Sequence, residues 1–165
     1  MEQRSLSTVK NAIAASRGAA EPDAVAALLK AGADPGHLLG FVVEHKNERL
    51  LRVMMQAGVE MNHLEADRWD PRFFSLAKWP AGLALLLEHD ANPETEGRTG
   101  FTVLMLAIHM EYWPSVDLLL AHGARTDDGA HRLSLRKLVS EKIEQIHRRN
   151  GEIPPQLAAL AARMH

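Results

Sequence analysis

The chain contains no cysteine. Disulfide scaffolds, thiolate metal sites and cysteine nucleophiles are thereby excluded, and a reducing compartment fits. No apolar run approaches the roughly 18 residues of a membrane span. Residues 1–10 lack the apolar segment of a secretory signal, so a cytoplasmic location is expected. Charge of one sign is not in excess either: 19 Lys and Arg stand against 21 Asp and Glu, a net −2, which argues against a broad nucleic-acid surface. The chain also lacks a dinucleotide fingerprint, a P-loop, an H-E-x-x-H helix and a nucleophile elbow. His37 and His45 lie eight apart, and His109, His122 and His131 have no close ligand spacing, so no metal is expected. Glu94 with Glu96, and Asp127 with Asp128, are neighbours without the opposed environments that acid–base chemistry needs. No catalytic residue and no cofactor are assigned.

What the chain does have is a recurring unit. The stretch VAALLKAGADP at 25–35 returns as LRVMMQAGVEMN at 51–62, LALLLEHDANP at 83–93 and VDLLLAHGARTD at 116–127. The turn positions Gly32, Gly58, Asp90 and Gly123 are spaced by 26, 32 and 33 residues. In the last copy Val116, Leu119 and Leu120 share one helical face. Gly123 stops that helix, where a left-handed conformation is cheap for Gly. Upstream, Thr102 is placed to cap a helix whose apolar face is Leu104, Ala107 and Ile108. One such helix pair cannot bury its own faces, whereas stacked copies can. Leu28/Leu29, Met54/Met55, Leu86/Leu87 and Leu119/Leu120 are expected to form the stacked core.

These residues resemble the ankyrin repeat family. The segment Thr102-Val103-Leu104-Met105-Leu106-Ala107 is similar to the family's T-P-L-H-x-A, with Val103 and Met105 in place of its Pro and His. Val116 to Ala124 is similar to its V-x-x-L-L-x-x-G-A, and Glu111 takes the position of its usual Gly. The resemblance implies an all-α fold: a short ankyrin-like solenoid of stacked antiparallel helix pairs with projecting loops. A single ankyrin-like domain over 1–165 is expected, with approximate units at 5–35, 36–66, 67–98 and 99–130 and a C-terminal helical cap at 131–165.

The units depart from the pattern in places. About seven loop residues are missing after Asp34, so the first finger is absent or a tight turn. The loop between Gly58 and Arg72 is about two residues longer than the pattern, and the helix pair at 73–89 about three shorter. Pro80 marks the turn or the start of that pair's second helix, and Trp79 either seals the pair or faces a partner. Residues 92–99 form a normal finger turned by Gly97 and Gly100. At the end, 133–138 begins a further pair, 143–149 continues it to Asn150-Gly151, and 156–164 forms a last short helix.

The family generally acts in recognition, which implies a protein-binding adaptor or inhibitory scaffold and not an enzyme. An immunity-like inhibitor masking a toxin is compatible with the size and the acidic middle. Candidate contacts are Arg68 and Trp69 on the enlarged finger, Glu94, Glu96 and Arg98 on the next, and His109, Tyr112 and Trp113 beyond it. Each has a plainer role in local packing or as surface charge. Residues 86–130 carry eight acids against two bases, a local −6, and residues 131–165 carry seven bases against three acids, a local +4. That asymmetry fits a partner protein with a basic contact surface, and equally a solvated mixed surface. No membrane partner is expected. Homotypic assembly, a hydrolase gathered from distant repeats, and nucleic-acid binding through the basic end are the weaker readings.

Overall fold

The computed structural model describes residues 35–59, 75–97, 99–127 and 134–164. The chain divides into two compact units, Met1–Leu64 and Glu65–His165. The first holds helices α1 (Pro35–Glu44) and α2 (Glu48–Gln56), which pack on each other. The second holds α3 (Pro80–Glu88), α4 (Val103–His109), α5 (Trp113–Ala121), α6 (Leu135–Arg148) and α7 (Pro155–Arg163). Among the described residues each unit is all-α, and in the second the helix pairs stack in the ankyrin-like manner. The opening helices expected within 5–30, Gly32 with Leu28 and Leu29, and most of the enlarged loop before Arg72 lie outside the described residues.

In the first unit α2 forms for three local reasons. The Asn47 side chain accepts from the Leu50 N–H at 3.0 Å. Glu48 pairs with Arg52 one turn on, at 2.8 Å. Leu50, Leu51, Val53 and Met54 are buried along the inner side of the helix. Gly58 then takes φ +75° as the chain leaves, and the Val59 N–H closes back onto the Met54 carbonyl at 3.1 Å. This is the bond pattern of a Schellman ending.

The same ending recurs through the second unit, and it is the physical content of the repeat. Asp90, Glu111, Gly123 and Asn150 all have positive φ. The N–H of the residue after each bonds five residues back, as from Ala91 to Leu86, Tyr112 to Ala107, Ala124 to Leu119 and Gly151 to Ile146. Only one of the four is a glycine. Lys46 plays this part between α1 and α2. The expected turn residues Gly58, Asp90 and Gly123 are thus three of a larger set.

The second unit is laid out in two rows. α4 packs on α6, while α3, α5 and α7 follow one another in the other row, and α4 with α5 and α6 with α7 make the pairs. Thr102 caps α4 through the Met105 N–H, and Ser134 caps α6 through the Lys137 N–H 32 positions later. The C-terminal helices therefore continue the stack in register. Between α4 and α5 lies a tight turn, and Leu104, Met105, Ala107, Ile108, Val116 and Leu119 are at most 2 % exposed. Val103 and Met105, where the family has Pro and His, are both buried. Of the expected core doublets, the first member is fully buried each time (Met54, Leu86, Leu119), while Met55 and Leu120 are only half-buried.

Two sequence expectations are corrected or sharpened here. The segments 133–138 and 143–149 are not separate pieces: one helix runs unbroken over Leu135–Arg148. Its apolar residues Leu135, Val139 and Ile146 keep helical spacing across the junction, so nothing breaks it. Trp79 is resolved in favour of sealing. It is 8 % exposed and stands at the N-cap position of α3 without a side-chain cap bond, with Pro80 at the first helical position, where no N–H is needed. Its ring lies over the bare Cα of Gly82. Across the stack, the Ser115 hydroxyl donates to the Ala77 carbonyl at 2.7 Å and ties the start of α5 to the shortened pair.

Candidate protein-binding surface

The finger before α4 is a small hairpin built by side-chain and turn chemistry. The Asn92 side chain accepts from the Glu94 N–H at 2.9 Å, and the Thr95 hydroxyl donates to the Asn92 carbonyl at 3.1 Å. Glu96 and Thr102 form an antiparallel bridge. The Gly97 N–H bonds Phe101, and Gly100 turns the tip at φ +82°. Of the finger candidates, Glu94 has structural work: its carboxylate accepts from the Arg125 N–H at 2.8 Å, bracing the finger against the loop that follows α5. Arg125 in turn grips Asp127 through two hydrogen bonds of 3.0 Å, which pushes its guanidinium pKa further up. Glu96 is half-buried. Arg68, Trp69 and Arg98 lie outside the described residues.

The other candidates sit at the far end of α4. His109 is its last residue and is exposed, with its ring edge-on to Phe101 at 5.9 Å. Tyr112 precedes α5 and Trp113 begins it, both half-buried. The Lys78 ammonium lies 5.7 Å from the Tyr112 ring centroid, a cation–π distance. A seven-residue helix is about 10 Å long, so α4 separates Glu94 and Glu96 from Tyr112 and Trp113, while the His109 ring reaches Phe101 beside the finger. The half-buried Phe101, Leu106 and Met110 lie along the chain between Glu96 and Tyr112.

A third group of residues escaped the sequence reading. Glu111 stands left-handed at φ +63°, in the position where the family has Gly. Its Oε1 accepts from Arg149 Nη2 at 2.6 Å and from Lys142 Nζ at 3.4 Å. Lys142 is only 5 % exposed, and its ammonium also donates to the His109 carbonyl at 2.7 Å, satisfying an end of α4. The hydrogen bond from Arg149 holds the Glu111 carboxyl below its ordinary pKa, partly opposed by burial and helped by Lys142. Nearby, the Gln156 amide donates to Asp117 at 2.8 Å. The available signal was Glu111 itself: a charged residue in a glycine position calls for a compensating contact.

This alters the meaning of the charge asymmetry. Among the described acids of 86–130, Glu94, Glu111, Asp117 and Asp127 are engaged by groups of the same chain. Two of the seven bases in 131–165 are the ones that hold Glu111. Part of the asymmetry, Glu111 with Lys142 and Arg149, therefore serves docking between successive helix pairs, whereas Asp127 pairs locally with Arg125. Among the described residues, no three His, Asp or Glu side chains are gathered to hold a metal ion, and no helix is long and apolar enough to cross a membrane.

Comparison with known proteins gives one match. No curated protein and no solved structure matches the chain. The family model described as the ankyrin repeat matches residues 99–129, the stretch that holds the hairpin tip, the Thr102 cap, the α4–α5 pair and the Gly123 ending. By that match and by this geometry, residues 99–129 carry an ankyrin repeat.

Proposed function

We propose that the chain is a recognition scaffold, an adaptor or inhibitor that binds another protein through its fingers and the exposed sides of its first helices. The ankyrin match over 99–129 and the helix-pair fold support a protein–protein interaction module. The observation that carries the finer reading is the placing of half-buried side chains at both ends of α4. The finger with Glu94 and Glu96 stands at one end, and Tyr112 and Trp113 at the other. A partner lying along α4 would bridge both ends, meeting Phe101, Leu106 and Met110 between them. Tyr112 and Trp113 offer area at low entropic cost, which suits them as anchors. The division into units at 5–35, 36–66, 67–98 and 99–130 with a C-terminal pair is part of the same proposal. A partner with a basic surface would meet exposed carboxylates such as Glu88.

The test is affinity capture with the intact chain, repeated with Trp69→Ala and Trp113→Ala. A single retained protein, lost in the Trp113→Ala capture while the variant keeps its helical circular-dichroism signal, is the expected result. Unchanged retention by both variants would remove the proposed anchors. Mass measured over a dilution series separates this from homotypic assembly: a dimer that persists with no retained partner would overturn the adaptor reading.

A further inference from the structure

The C-terminal pair is joined to the ankyrin repeat in a way that concentrates its polar contacts. Glu111 occupies a left-handed position that a glycine would fill without steric cost. Its side chain is what the position gains in exchange: one carboxylate oxygen receives both Arg149, at the end of α6, and Lys142, in its middle. Lys142 is buried and carries the His109 carbonyl as well. A single turn between α4 and α5 thus supplies the seat for a buried and an exposed cation of the same helix. Gln156 on Asp117 adds one contact from α7. Beneath these, Leu135, Val139, Ile146, Leu157 and Leu160 are buried, and α6 and α7 pack on each other.

We propose that α6 and α7 form a strap latched at Glu111, which opens as one unit while α4 and α5 stay folded. Contiguous elements that form one supersecondary pair, as α6 and α7 do, can open cooperatively below the global unfolding free energy. Here the opening equilibrium is governed by one carboxylate, because removing it leaves the Lys142 ammonium buried with a carbonyl as its remaining partner. Arg149 acts through Glu111 and has no independent grip on that turn. The opened state uncovers the buried apolar residues of α6 and α7. The proposal does not depend on which protein the chain binds.

Hydrogen exchange followed by mass spectrometry on the intact chain tests it, with Glu111→Gln, Arg149→Gln and the double variant. In Glu111→Gln the amides of 135–148 and 155–163 should exchange about tenfold faster or more, the scale of a lost charge-assisted hydrogen bond, with 103–121 changed much less. The double variant should exchange no faster than Glu111→Gln alone. Equal acceleration over 103–121 and 135–163, additive effects of the two substitutions, or no change in 135–163 would each overturn the latch. Should Glu111→Gln aggregate, Arg149→Gln alone decides the matter: its side chain is 53 % exposed, and acceleration confined to 135–163 is then the expected result.

Discussion

Replacing Gly82 with Ala tests how the shortened third pair is sealed, because two effects of opposite sign meet at that residue. Gly82 lies inside α3. In a free helix the change to Ala stabilises by about 1 kcal/mol. Here a Cβ would run into three ring atoms of Trp79, on Cδ2, Cε3 and Cζ3. The ring is rigid and only 8 % exposed, so it cannot yield by a small rotation at its tip. Forcing it out of place carries the cost of overpacking, about 1–3 kcal/mol. Three simultaneous ring contacts put the cost at the upper end of that range, so the clash wins and Gly82→Ala destabilises by about 1–2 kcal/mol net. With a urea slope of about 2 kcal/mol per molar, the unfolding midpoint falls by about 0.5–1 M. The control is Trp79→Leu, whose smaller side chain leaves room for the methyl group. In that background Gly82→Ala should turn neutral or stabilising, since contacting residues do not add. A higher midpoint for Gly82→Ala alone, or the same loss with and without Trp79, would refute the packing argument.

Two further outcomes follow from burial and charge. Leu119 has no exposure and lies in the α5 face that meets the stack; Leu119→Ala should cost about 2–5 kcal/mol in urea unfolding, and a loss near zero would remove it from the core. Glu111 is a carboxyl with a lowered folded-state pKa, so its contribution is fully present above the unfolded value of about 4.3 and is lost as pH falls through the folded value. Urea midpoints of the wild type and Glu111→Gln should therefore differ at neutral pH, with the wild type higher, and converge below about pH 4; a gap that persists at lower pH would show that the carboxylate charge is not the cause.

The repeat was legible because its markers are local. Thr102 caps through a bond to the third residue on, and Gly58, Asp90 and Gly123 end helices by a conformation readable from residue type. Pro80 and Pro114 fall within the first turn of their helices for the same reason. What was not legible is non-local. Ser115 to Ala77 spans 38 positions, Arg149 to Glu111 also 38, and Lys142 to His109 spans 33. Each joins neighbouring units, so the partner of a residue depends on how helix pairs stack and not on its sequence neighbours. The break expected in α6 arose from reading a two-helix unit into a segment whose Leu135, Val139 and Ile146 sustain one long helical face. Ser134, 32 residues after Thr102, was the sequence sign that the stack continues.

The sequence arithmetic of −6 beside +4 suggests a polar molecule that offers its acidic middle to a basic partner. In the fold, part of that opposition is spent inside the chain, where Glu111 and Asp117 of the α4–α5 pair meet Lys142, Arg149 and Gln156 of the next. An exposed ion pair adds little to stability by itself, but Lys142 is not exposed, and a buried ammonium without its carboxylate is strongly unfavourable. The basic C-terminal pair therefore fits the acidic turn of the repeat before it and would fit a neutral turn poorly. Charge here specifies which helix pair follows which. On the proposed function, another protein would meet the finger, the half-buried residues Phe101, Leu106 and Met110, and the Tyr112–Trp113 corner, a surface whose affinity would come from shape and aromatic area more than from net charge.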